Sequence, residues 1–282
     1  MWTNYHTHTS FCDGKKTIAE VVQSAISQGL LAVGLSSHAP LPFERKWCMK
    51  RESFPSYLEE IRLARANDNI QVYAGLEADF IPEKISPADF RGQLDYVIGS
   101  IHFVDGFPNS EGWEIDGPYE MFLKGYDAVF NSNMRAVVAR YFELTRQMVR
   151  DASPDIVGHL DKIKIQNKDR STFREDENWY VNEIESTLAI IRDNGCIVEV
   201  NTRGLYQAKT STPYPSPWII KRMAELGIPV TLSSDAHHPD DLVNRFSDTA
   251  SILLHAGIKK IRILTDGKWR DVRFDEHGIK DH

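Results

Sequence analysis

Seven short β-prone segments alternate with helix-like ones along this 282-residue chain, and six of the seven run into His, Glu or Asp. Residues 2–6 lead to His6 and His8, 31–37 to His38, 71–76 to Glu77, 96–101 to His102, 155–158 to His159, and 228–234 to Asp235 and His237. The remaining segment, 196–200, carries Glu199 and leads to Asn201, Thr202, Arg203 and Gly204. Strand and helix in alternation predict βα units and a largely parallel sheet. When such units close into a barrel, residues drawn from several strand ends share one mouth.

The helices are marked by their ends. Thr17 with Glu20 has capping-box spacing, and Gly29 and Gly195 are C-terminal stops. Helices are predicted at about 17–29, 55–66, 119–150, 176–194 and 217–226. Loops are expected at 40–54, opened by Pro40 and Pro42, and at 105–118, where Pro, Gly and Asn gather. Residues 1–266 read as one domain and 267–282 as a charged, peripheral tail.

The formal net charge of -7 argues against a nucleic-acid-binding surface. It leaves room for an anionic small substrate, because bound cations reverse the local field. Cys12, Cys48 and Cys196 are too few and scattered for a disulfide framework or a thiolate zinc site, so a reducing cytoplasm is the expected compartment. No secretory leader is expected, and no apolar stretch reaches transmembrane length.

Six histidines, Glu77 and Asp235 gather at equivalent strand ends. In an extended segment His6 and His8 point the same way, since side chains alternate faces. Imidazole and carboxylate without thiolate suit Zn, Mn or Fe. So many ligands exceed the needs of one ion and imply two or three divalent ions, an arrangement suited to displacement at phosphorus.

The set His6-x-His8, Asp13, Ser36-Ser37-His38, Gly75-Leu76-Glu77-Ala78-Asp79, Gly99-Ser100-Ile101-His102, Gly158-His159 and Ser233-Ser234-Asp235-Ala236-His237 resembles the polymerase-and-histidinol-phosphatase (PHP) superfamily. His38-Ala39-Pro40 with Trp47, and Gly158-His159-Leu160-Asp161-Lys162, look like its histidinol-phosphate phosphatase branch. The resemblance spans residues 1–265 and implies a distorted (β/α)7 TIM-like barrel with a trinuclear site. By motif, His6, His8, Glu77 and Asp235 would hold a first ion. Glu77 would bridge to a second ion held with His102 and His159, and Asp13, His38 and His237 would hold a third. Asp13 stands where some members carry histidine, which makes the third position more oxygen-rich.

The implied reaction is hydrolysis of L-histidinol phosphate to L-histidinol and phosphate, a step of histidine biosynthesis, by attack of a metal-bridging hydroxide. Asp235 or His237 would protonate the leaving alkoxide. The competing readings are a phosphoesterase for nucleotides or phosphotyrosyl proteins, a non-catalytic polymerase module, and a barrel amidohydrolase. The expected partner is a small phosphate ester, with no nucleic acid or membrane.

Arg203 is placed to grip phosphate at the same mouth, and Lys162 to assist. Trp47 and Met49 are placed to cover an imidazole ring. Glu114 or Asp116 would face the amino group of the substrate, and Glu199 would support a ligand. His238, His255, His277 and His282 read as surface residues, and Cys12 as a packed one.

Overall fold

The computed structural model describes residues 1–107, 112–167 and 172–280. In chain order the elements begin with β1 (Thr3–Asn4), α1 (Ile18–Ser27), β2 (Ala32–Leu35), α2 (Phe54–Ala64), β3 (Gln71–Asp79) and β4 (Tyr96–Ser100). There follow β5 (Phe103–Gly106), β6 (Gly112–Glu114), α3 (Tyr119–Phe130), α4 (Met134–Ala152), β7 (Ile156–Val157) and α5 (Asn178–Asn194). The chain continues with β8 (Ile197–Asn201), α6 (Arg203–Tyr206), α7 (Pro217–Leu226), β9 (Val230–Ser233) and α8 (Phe246–His255). It ends with β10 (Lys260–Thr265), β11 (Lys268–Asp275) and β12 (Gly278–Ile279).

Seven strands form a parallel sheet in the order β1-β2-β3-β4-β7-β8-β9. Thr7 bridges Ala236 in parallel and closes the sheet into a barrel. At that seam the His8 amide donates to the Ala236 carbonyl (2.8 Å) and the Ala236 amide to the His6 carbonyl (3.1 Å). The strands are almost wholly buried, so they read as apolar runs rather than alternations. No helix among the described residues is long and apolar enough to cross a membrane.

Local chemistry sets the joints. Thr17 and Glu20 form the capping box of α1. The single helix expected over 119–150 is two, because Asn131 and Ser132 take left-handed backbone angles (φ 49° and 58°). The Asn133 side chain then caps α4 by accepting from Ala136 N. The loop expected at 105–118 is partly built into β5 and β6, which pair antiparallel. This hairpin buries Trp113 against Gly125 of α3, where a Cβ would lie 2.3 Å from the indole.

Residues expected to form a peripheral tail instead form β11 and β12. β11 pairs with β10 along its length, and the Ile279 amide donates to the Met1 carbonyl. The apolar positions Trp269, Val272 and Phe274 are diluted by exposed charges, which hid them in the composition. Trp269 meets Tyr5 and Tyr96 edge-on, with centroids 5.5 and 6.2 Å apart, and Asp266 bonds Gln71 at the start of β3. The small sheet thus covers the barrel end opposite the histidines. Trp269→Ala should lower unfolding stability by about 2 kcal/mol, less than a fully buried Trp would, with metal content unchanged. The urea midpoint measures this, and an unshifted midpoint would show the strand to be dispensable.

Candidate metal centre

The seam that closes the barrel also aims the first ligands. His6 and His8 flank Thr7 and share one face, with ring centroids 5.2 Å apart. Just beyond, the chain folds back so tightly that a Cβ on Gly14 would sit 2.4 Å from Thr9 N. The turn brings Asp13 Oδ1 to 3.2 Å from His237 Nε2, 3.9 Å from His38 Nε2 and 4.0 Å from His8 Nδ1.

Glu77 lies at the centre of five imidazoles. Its Oε2 faces His38 Nδ1 (3.0 Å), His6 Nε2 (3.2 Å) and His8 Nε2 (3.4 Å). Its Oε1 faces His159 Nε2 (2.8 Å) and His102 Nε2 (3.4 Å), and Ser100 Oγ donates to it. Asp235, held at a left-handed φ of 51°, puts Oδ1 3.1 Å from His8 Nε2 and 3.7 Å from His6 Nε2. The backbone at such a position is strained, and the strain aims the carboxylate inward.

Behind these groups lies a layer of supports. Glu199 holds His6 Nδ1 at 2.8 Å and accepts from the His159 amide at 2.7 Å. Asp79 takes His102 Nδ1 at 3.0 Å. Such partners fix the ring orientation and leave Nε2 to face the centre. Cys12 does more than pack: its Sγ lies 3.5 Å from His8 Nδ1. Asp79 stands in the family motif without a role in the sequence reading, although its spacing from Glu77 places both on one strand face.

Six buried atoms that meet here have no hydrogen-bond partner: His6 Nε2, His8 Nε2, His38 Nδ1, Asp13 Oδ1, Glu77 Oε2 and Asp235 Oδ1. Buried polar atoms are nearly always satisfied, so facing orphans of this kind point to a cation among them. Three groups have donor atoms within 4.8 Å of one another: His8–Asp13–His38–His237, His6–His8–Asp235 and His38–Glu77–His102. His159 joins them through Glu77. Among the described residues, every predicted ligand is therefore in one cluster, with His8 and His38 each in two groups.

The electrostatics agree. Burial opposes ionisation of Glu77 and Asp235, yet the surrounding imidazoles, with Arg203 beside Asp235, hold both well below the usual carboxylate range. Burial would also depress His6, but Glu199, Glu77 and Asp235 overcome it and raise its pKa. His8 is lowered by burial and by its neighbours His237 and His38. The charge balance calls for positive charge at the centre of the cluster.

A cavity of about 290 Å³ opens over the ligands, lined among others by Trp47, Asp116, Lys162, Arg203, Lys209 and Tyr214. Arg203 starts α6 and donates through Nη1 to the Asp235 carbonyl and to His237 Nδ1, both at 2.7 Å. Lys162 Nζ pairs with Asp116 Oδ2 at 2.9 Å. Trp47 packs edge-on against His38 at 4.6 Å, and its indole donates to Glu114. Glu114 also accepts from Arg45, so both acidic residues expected to meet a substrate amine already have cationic partners. Met49 is buried and donates its amide to the His38 carbonyl. His238, His255 and His277 lie outside the cluster, and His282 lies outside the described residues. Lys209 and Tyr214 had no sequence signal. Their loop is tied down by buried Lys164, which bonds Asp161, Thr212, the Pro213 carbonyl and Ser216.

Residues 4–203 match the model of the PHP domain family. A protein of Deinococcus radiodurans named "Probable histidinol-phosphatase" is 29% identical over 260 residues, covering 89% of this chain and 92% of its own. A solved structure from Listeria monocytogenes superposes with a TM-score of 0.75 at 21% identity, covering 87% of this chain and 99% of that one. A histidinol phosphate phosphatase from Lactococcus lactis, solved with zinc, L-histidinol and phosphate, superposes with a TM-score of 0.70 at 19% identity, covering 99% of both chains.

Proposed function

Because this chain belongs to the PHP domain family, we propose that it is a metal-dependent phosphomonoesterase that hydrolyses L-histidinol phosphate to L-histidinol and phosphate. The observation that carries the reading is the set of orphaned inward-facing ligand atoms beneath a cavity lined by Arg203 and Lys162. His6, His8, Glu77 and Asp235 would hold one ion; Glu77, His102 and His159 a second; and Asp13, His38 and His237 a third. When bound, the ions would supply positive charge for the phosphoryl oxygens and acidify coordinated water.

The protein's own groups complete the site. Arg203 has Nη1 committed to Asp235 and His237, which leaves the rest of its fork for phosphate. Both ring nitrogens of His237 are engaged, Nε2 by Asp13 and Nδ1 by Arg203. Asp235 lines the cavity with Oδ2 in a long contact with Asn201 (3.5 Å); held ionised, it is better placed to take a proton from the attacking water and pass it to the leaving alkoxide. Trp47 lines the same cavity beside His38. A cavity of about 290 Å³ suits a small ester better than a nucleotide or a phosphotyrosyl protein.

A phosphate-release panel tests the reading. Histidinol phosphate should be cleaved at least about 10²-fold more efficiently than a mononucleotide or a phosphotyrosyl peptide, a margin expected from polar contacts specific to one leaving group. A chelator should abolish the activity, and zinc, manganese or iron added back singly will identify the ion that restores it. Preference for the mononucleotide, or full activity in chelator, would overturn the proposal.

A further inference from the structure

Lys162 is only 8% exposed, and its ammonium lies among the proposed ligands rather than beside them. Nζ is 3.2 Å from His102 Nε2 and 3.5 Å from His159 Nε2. The same two nitrogens face Glu77 Oε1, and the remaining contact of Nζ is Asp116 Oδ2 at 2.9 Å. A second observation agrees. The orphaned ligand atoms belong to His6, His8, Asp13, His38, Asp235 and the Oε2 side of Glu77. His102 Nε2, His159 Nε2 and Glu77 Oε1 are absent from that set: Glu77 Oε1 is met by Ser100 Oγ and His159 Nε2, and the two imidazole nitrogens are faced by the Lys162 ammonium. In this part of the cluster a side-chain cation already stands against the imidazoles.

We propose that Lys162 is a tethered occupant of the position bounded by Glu77, His102 and His159, which makes that position the last to take an ion and the first to lose it. This rests on reading the cluster as a multi-ion centre. An ammonium carries three donors and a single compact charge, enough to satisfy two imidazoles and a carboxylate. A divalent ion cannot enter while the ammonium stays, because two cations at about 3 Å repel strongly even in a polar interior. Loading therefore moves Lys162 off the two imidazoles and leaves it on Asp116 alone, at the cavity, where it meets the phosphoryl group. Asp116 thus sets how easily the lysine leaves.

Zinc titration of the purified, metal-stripped chain by calorimetry tests this, with Lys162→Met preserving the stem and Asp116→Asn removing the resting partner. Lys162→Met should bind its weakest ion about tenfold or more tightly, leave the tighter ions within about threefold, and melt lower than wild type when metal-free. Asp116→Asn should shift the weakest ion the opposite way, and it carries the test should the methionine variant fail to fold. A lysine that only contacts substrate would change KM and leave ion affinity and metal-free melting untouched. Unchanged weakest-ion affinity in both variants, with wild type binding two or more ions, would overturn this inference alone. Wild type binding no more than one zinc would overturn the multi-ion reading as well.

Discussion

Glu77→Gln should abolish turnover, by about 10⁴-fold or more, and leave the protein short of metal. Five imidazole nitrogens face the two oxygens of this carboxylate at 2.8–3.4 Å. The amide is nearly the same size, so the barrel should still form. It carries no charge, however, and its NH2 cannot accept from a cation or serve as a ligand. The buried histidines would lose the anion that offsets their desolvation, and the two ion positions proposed to share Glu77 would lose a common carboxylate ligand. Elemental analysis and phosphate release on the same folded sample measure the effect. Full metal content with an intact rate would refute the bridging role.

Arg203→Ala should lower kcat/KM by about 10²-fold or more while metal content at saturating zinc is unchanged. A charge-assisted clamp in a dry site is worth about 2–4 kcal/mol. The guanidinium holds the Asp235 carbonyl and His237 with one nitrogen, so part of the loss will come from a looser His237. Arg203→Lys should rescue only partly, because an ammonium cannot both hold that turn and present a planar fork. Kinetics on histidinol phosphate with metal content checked in parallel decide it. A near wild-type kcat/KM would leave phosphate binding to the metals.

The barrel and the gathering of six histidines, Glu77 and Asp235 at one mouth were legible from short-range pattern, whereas Asp13 came from the family motif. An apolar run that ends on His or Asp needs only the βα rule to place that residue at the mouth, and Glu199 stood out as a charge inside an apolar strand. The break at Asn131 and Ser132 is local, a short Asn-Ser-Asn turn inside a long helical pattern that outweighed it, whereas other features depend on tertiary partners beyond the reach of local pattern. Trp269 gave a weak signal because its strand neighbours are exposed and charged, while its own partners, Tyr5 and Tyr96, are far away in sequence. The direction of the Lys162 side chain, and the pairing of Glu114 and Asp116 with cations, could not be read from spacing at all.

The bridge between Thr7 and Ala236 has a consequence in time. The ribosome delivers His6 and His8 long before their partner at the seam, which is among the last parts of the barrel to emerge. A growing chain lacking Asp235 and His237 has most of the proposed metal ligands and no closed seam to hold them. On that ligation metal uptake would be coupled to completion of the barrel, and a truncated or stalled product should stay metal-poor and inert toward cellular phosphate esters.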